Sequence, residues 1–209
     1  MVELKSPGER AAMREAGRVV AAMLAAATAA AGVGVPLRDL DGAGREVLRA
    51  AGAKPTFLGY HPRFAPSPYP AVLCTSVNDA ALHGIPTGYR LRDGDVLSVD
   101  AGAEVDGWAG DAAVTVIVGT PRADDERLLD AGRRALAAGI AAARSGGHVG
   151  DISAAIGAVG RAAGYGLHTD YGGHGIGRQM HEEPSVPNEG RAGRGMRLRP
   201  GVVLAIEPW

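Results

Sequence analysis

The apolar positions of this chain change period several times, and each change marks an element. The first pattern opens at Ser6-Pro7-Gly8-Glu9. Ser at the N-cap, Pro at the first helical position and Glu three residues after the Ser form a capping box. An Ala-rich helix is predicted from there to about Ala31, stopped by Gly32 and Gly34. A second helix follows Pro36, with Leu37, Leu40, Val47, Leu48 and Ala51 on one face, and ends near Gly52. The stretch 60–69 is rich in Pro and aromatic residues and reads as loop. Segments 71–77, 96–100 and 113–118 read as strands, the last two joined by a turn around Asp106-Gly107. Helical periodicity returns over 123–144 and 150–163. Residues 172–177 form a Gly-rich loop or strand, and 202–207 a last apolar strand.

An internal repeat organises these elements. Segment 91–100 aligns without gaps on 198–207, with five of ten positions identical, and both copies end on a carboxylate, Asp100 and Glu207. Upstream, 39–52 aligns on 151–164, each copy closing on Arg-Ala-Ala-Gly. His83-Gly84-Ile85 echoes His174-Gly175-Ile176. Each half, about 1–120 and 121–209, therefore reads helix, helix, strands. Two such halves predict an α/β chain of α+β type whose sheets meet, with a site at the seam.

Composition narrows the function classes. A chain of 209 residues with 46% hydrophobic content holds enough apolar material for one domain with a real core. Net charge of −1 leaves no electrostatic footprint for nucleic acid or an anionic membrane. One cysteine, Cys74, excludes an internal disulfide framework and a four-thiolate zinc site. The apolar run 19–35 is alanine-rich and preceded by Glu3, Glu9 and Glu15, which suits a buried helix better than an export signal or membrane span. A cytoplasmic protein is expected by default.

Asp100 ends an apolar strand and Asp111 lies eleven residues on, past the turn. A hairpin of that length can set the two carboxylates side by side, where they repel unless a proton or metal lies between them. An exposed strand end plus a turn Asp is the bland alternative. Histidines shift the balance. His83, His174 and His181 all sit in short motifs punctuated by Gly or Pro, and Glu207 precedes Pro208. Carboxylates with imidazoles suit a mixed oxygen and nitrogen metal site, and bridging carboxylates favour a pair of ions.

Six ordered motifs carry a family resemblance. They are Asn78-Asp79-Ala80-Ala81-Leu82-His83-Gly84-Ile85-Pro86, Asp100-Ala101-Gly102, Gly110-Asp111, Gly173-His174-Gly175-Ile176-Gly177, His181-Glu182-Glu183-Pro184 and Ile206-Glu207-Pro208. In order and spacing the chain resembles the type I methionine aminopeptidases, and the opening around Lys5-Ser6-Pro7-Gly8-Glu9 matches as well. The resemblance implies the pita-bread fold, with two pseudo-symmetric halves. It implies a metal-dependent aminopeptidase that removes N-terminal, initiator methionine from peptides and nascent proteins by metal-hydroxide attack on the first peptide bond. Carried over by position, Asp100 would ligate the first metal, Asp111 would bridge both, and His174 and Glu207 would hold the second. Glu207 would also shuttle the proton, His181 would stabilise the oxyanion, and His83 would stand near the scissile nitrogen. Tyr60, Cys74 and Met180 match positions of the methionine pocket. Two divalent ions are implied, drawn from cobalt, manganese, iron or zinc. The ribosome enters as a candidate partner, and a monomer is the default.

The family pattern continues beyond the Glu-Pro step with a tail that carries one more bridging glutamate. Residues 1–209 are therefore read as one catalytic domain short of its C-terminal segment, either a fragment or a natural truncation. Occupancy of the second metal site is the property this puts in question. Two alternatives to the methionine aminopeptidase share these features: a proline-specific aminopeptidase of the same fold, and a catalytically impaired relative acting as a binding module.

Overall fold

The computed structural model describes residues 2–63 and 65–209. In chain order the elements are α1 (Pro7–Ala30), α2 (Leu37–Ala51), β1 (Lys54–Pro55), β2 (Leu73–Val77), β3 (Val96–Val105) and β4 (Trp108–Ile117). They are followed by α3 (Ala123–Ala142), α4 (Val149–Ala162), β5 (Gly173–Gly175), β6 (Glu182–Val186) and β7 (Leu204–Ala205). The chain divides into two compact units, Ala11–Asp125 and Met1–Arg10 with Glu126–Trp209. Among the described residues no helix is long and apolar enough to cross a membrane.

In the contiguous unit, β3 is the central strand. β2 and β1 follow one another along one edge of it and β4 runs along the other, all antiparallel. The β3–β4 hairpin closes on Val105 opposite Trp108, with Asp106 and Gly107 at φ of 51° and 78°. Two left-handed residues in a two-residue loop match the twist of the flanking strands, which is why Asp-Gly serves there. Alternation along β3 turns Leu97, Val99 and Ala101 to the core, where Val20, Met23, Leu37, Leu40 and Leu48 of α1 and α2 cover them. The Ser6–Glu9 capping box is formed: Glu9 N donates to Ser6 Oγ at 3.3 Å and Ser6 N to Glu9 Oε2 at 2.8 Å.

The second unit packs α3 and α4 around Ala135, Val149, Ile152, Ile156, Val186 and Leu198. Its sheet is short, in the order β6-β5-β7 and antiparallel throughout. Of the expected Gly-rich loop or strand over 172–177, Gly173–Gly175 pairs as β5, and of the stretch 202–207 only Leu204–Ala205 pairs as strand. β6 was not expected, because Glu182-Glu183-Pro184 lacks an apolar alternation.

The repeat appears in the backbone bonding of each unit. Gly34 N donates to Leu91 O, and Gly146 N to Leu198 O. Leu91 N donates to Val35 O, and Leu198 N to Gly147 O. Leu37 N pairs with Tyr89 O, and Val149 N with Met196 O. Arg38 N reaches Thr87 O, and Gly150 N reaches Arg194 O. In both units the helix start is thus sewn to the segment that leads into the carboxylate-bearing strand. Gly94 and Gly201 occupy the same turn, with φ of 84° and 99°.

Candidate metal centre

In the contiguous unit the hairpin presents both predicted aspartates. Register places Asp100 opposite Ala113 and Gly102 opposite Asp111. Positions 100 and 102 share one face of β3, so both carboxylates stand on that face as diagonal neighbours two residues apart. They are not directly opposite, because the turn at Asp106-Gly107 pairs Asp100 with Ala113 and Asp111 with Gly102. Both are half-buried. The same face carries Ser98 and Thr115, whose hydroxyls lie 2.6 Å apart.

Two glycines let other chain segments press against this hairpin. A Cβ at Gly110 would lie 2.8 Å from Gly17 N, so α1 packs directly on the strand beside Asp111. A Cβ at Gly102 would overlap Thr56 Oγ1 and approach Phe57. Either substitution would push a packed segment off the carboxylate strands.

Cys74 pairs with Asp100 across β2 and β3 and is buried. Burial, and after it the Asp100 carboxylate, push its thiol up to about 12, with the Tyr69 hydroxyl opposing the shift. Such a thiol stays protonated, which suits a wall residue and not a nucleophile. Burial likewise holds the Tyr69 phenol above its usual range. Tyr69 hydroxyl lies 2.9 Å from Gly84 O and 3.0 Å from Leu73 O, and its ring meets Phe57 edge-on at 6.5 Å. Sequence reading placed Tyr69 only at the end of a loop. Its partners are distant in the chain, so no spacing announces it.

Tyr60 is 42% exposed, at the neck of the loop that Tyr69 closes through a 2.9 Å bond from its N to Tyr60 O. His83 has φ of 56°, a left-handed conformation uncommon for a residue with a side chain. Gly84 fixes it: Gly84 N donates to Ser76 Oγ at 3.1 Å and Gly84 O accepts from Thr75 N at 2.7 Å. A Cβ on Gly84 would collide with Thr75 O, so the His-Gly pair is dictated by contact with β2.

In the other unit β5 carries His174 between two glycines. A Cβ at Gly173 would strike the β7 carbonyl of Ala205, and one at Gly175 the carbonyl of Glu183. The glycines therefore let three strands close around the imidazole. His174 Nδ1 is 2.9 Å from Gly175 O, which accepts only if that nitrogen carries the proton. In the neutral ring Nε2 then directs a lone pair at Glu207 Oε1, 3.1 Å away. That oxygen is buried and has no hydrogen-bond donor among the described residues. Two electron-pair donors facing one another suit a cation that both can ligate. The second oxygen of Glu207 accepts from Trp209 Nε1 at 3.3 Å. His181 packs edge-on against His174, ring centres 4.4 Å apart, and Met180 beside it is buried.

Asn188, 1% exposed, also escaped the sequence reading. Its amide donates to Tyr171 O at 2.9 Å and its oxygen accepts from Trp209 N at 3.3 Å, pinning the segments on either side of His174 and Glu207.

Each unit by itself offers donors that a divalent ion accepts, two half-buried strand carboxylates in one and a half-buried imidazole–carboxylate pair in the other. The profile of metallopeptidase family M24 matches residues 11–209. Methionine aminopeptidase 1 of Mycobacterium tuberculosis is 49% identical over 215 residues, covering 100% of this chain and 79% of that protein. The crystal structure of methionine aminopeptidase from Thermotoga maritima superposes with a TM-score of 0.94 at 36% identity, over 100% of this chain and 82% of that one. Prolidase from Pyrococcus furiosus gives 0.83 at 21% identity, over 98% of this chain and 57% of that one, a likeness of fold alone. The chain belongs to metallopeptidase family M24 and has its pita-bread α/β fold.

Proposed function

We propose that this protein is a metal-dependent aminopeptidase that removes N-terminal methionine from peptides and nascent proteins. Residues 1–209 work as one catalytic domain in the cytoplasm. Support comes from family membership, from relatives named methionine aminopeptidase over the full chain, and above all from one observation. Glu207 Oε1 is buried without a donor and stands 3.1 Å from the lone-pair side of His174. That arrangement stabilises a bound cation.

Asp100, Asp111, His174 and Glu207 would hold divalent metal, with cobalt, manganese, iron and zinc all compatible with this donor set. When bound, the ions would activate water and polarise the scissile carbonyl. Glu207 would accept the proton of the attacking water and pass it to the departing amine. His181 would donate a hydrogen bond to the oxyanion that forms on the carbonyl oxygen. His83, fixed by its strained backbone, would stand at the scissile nitrogen. Cys74, Met180 and Tyr60 would line the methionine pocket, where a protonated thiol and a thioether offer polarizable, apolar contact. Carboxylates facing the free α-amino group would confine cleavage to the first residue.

The test is release of methionine from a Met-Ala-Ser peptide with and without added Co²⁺ or Mn²⁺, beside Asp111→Ala. Turnover that needs metal and vanishes in the variant is expected. Absence of turnover by folded, metal-loaded protein would overturn the proposal.

A further inference from the structure

Lys5 is one of two lysines in the chain, and it is 3% exposed. Its ammonium lies 2.5 Å from Glu182 Oε2 and 3.4 Å from Glu3 O. Its main chain is equally engaged: Lys5 N donates to Gly201 O at 2.7 Å, and Arg10 Nη1 donates to Lys5 O at 3.2 Å. Gly201 sits in the turn that leads into β7 and Glu207, and a Cβ there would lie 2.9 Å from Lys5 O. Glu182 is the residue after His181. Its other oxygen accepts from Gln179 N at 3.1 Å, so one carboxylate closes the turn that carries Met180 and His181. Gly177 completes the arrangement: a Cβ there would overlap Lys5 Cε and lie 2.6 Å from Nζ. The last glycine of the Gly-His-Gly-Ile-Gly motif is therefore required by the lysine.

A buried ion pair is a weak source of stability. Desolvating both charges cancels much of their attraction, and apolar side chains of similar volume often serve as well. What such a pair does supply is a fixed geometry. We infer that Lys5 is a positioning residue: through Glu182 it holds the His181 turn, and through its backbone it holds the turn before β7, setting His181 against the His174–Glu207 pair. The inference rests on the proposed aminopeptidase reading for its effect on turnover and on geometry alone for its effect on His181.

The experiment compares Lys5→Met, Glu182→Gln and, as a control, Lys54→Met, which removes the exposed partner of Glu104. Steady-state kinetics on Met-Ala-Ser at saturating metal are measured well below each melting temperature. The ring signals of His181 are followed by NMR on histidine-labelled protein and assigned with His181→Asn. Lys5→Met is expected to lower kcat roughly tenfold or more with little change in KM, since small displacements of a reacting group cost rate and not affinity. Glu182→Gln keeps an acceptor for Gln179 N and should give a smaller loss of kcat. Both should shift the His181 signals, and Lys54→Met should change neither readout. A strap of purely structural value would lower the melting temperature and leave kcat and the His181 signals at wild-type values; that result overturns the inference. Should Lys5→Met not fold, Glu182→Gln decides by the same criteria. Should wild-type protein show no turnover, the aminopeptidase reading fails, and the His181 signals alone decide whether the tie exists.

Discussion

Asp100 and Glu207 occupy equivalent places in two copies of one pattern, yet they are held in different ways. Asp100 lies mid-way along a ten-residue strand, paired with Cys74 on one side and Ala113 on the other. Backbone ladders fix its position on both flanks. Glu207 follows a two-residue strand and is tethered by one side chain, Trp209 Nε1 at one oxygen, while its other oxygen faces His174. The same sewing of helix to strand start recurs beneath both. A duplicated frame thus specifies where a carboxylate goes, while its rigidity comes from whatever surrounds it: sheet in one copy, a side-chain cluster in the other.

The comparison breaks most visibly in activity. Asp111→Ala and Glu207→Ala should each lower metal-dependent methionine release by more than about 100-fold, because each removes a proposed ligand. Retention of activity by one of them, measured on Met-Ala-Ser, would show that one copy suffices. Next in size are the cores. Leu97→Ala under the long hairpin and Ile156→Ala under the short sheet, both fully buried, should each cost about 2–5 kcal/mol in urea unfolding. A markedly smaller loss at Ile156 would mean that the shorter sheet relaxes around a cavity. Gly84→Ala and Gly175→Ala press a methyl onto a backbone carbonyl in either unit, and each should cost about 1–3 kcal/mol. Because Gly175 adjoins His174, its variant should also weaken metal binding in calorimetry, whereas Gly84→Ala should not.

The smallest effect is a pH dependence confined to one copy. Burial raises the Asp95 carboxyl, but hydrogen bonds from Arg92 N, the Asn78 amide and the Tyr89 hydroxyl outweigh it and hold the group below its ordinary range. A lowered folded pKa stabilises the protein above the unfolded value, and that contribution is lost as pH falls through the folded one. Its counterpart in the repeat is Val202, which cannot titrate. Asp95→Asn should therefore flatten the acid side of the stability profile below about pH 4, read by urea unfolding. An unchanged slope would assign the acid sensitivity elsewhere.

Local chemistry made much of this fold legible in advance. The capping box at Ser6, the Asp106-Gly107 turn and the Leu37, Leu40 and Leu48 positions of α2 each act over a few residues and stand where the sequence places them, while Ala51 of that expected face is exposed. The motifs around His174 and Asp111 pointed to a mixed donor set for the same reason. What escaped depends on partners far along the chain. β3 runs to Val105 through Ala101-Gly102-Ala103, small residues with no apolar signal, because the tight turn fixes a register that continues the ladder. β6 is a strand only because β5 lies beside it. Lys5, Tyr69 and Asn188 look like ordinary polar residues in sequence; burial and distant acceptors give them their roles.

The tie at Lys5 also bears on how the molecule comes into being. Residues 1–10 belong to the same compact unit as residues 126–209, while 11–125 form an uninterrupted stretch. A ribosome delivers the chain from its N-terminus, so the uninterrupted stretch has all its own partners early. Lys5 then has only its near neighbours Glu3 and Arg10. It must wait for Glu182, 177 residues further on, and for Gly201 beyond it. A segment made before the uninterrupted stretch is fastened after it, and the turn bearing His181 takes its final shape only once Lys5 and Glu182 meet.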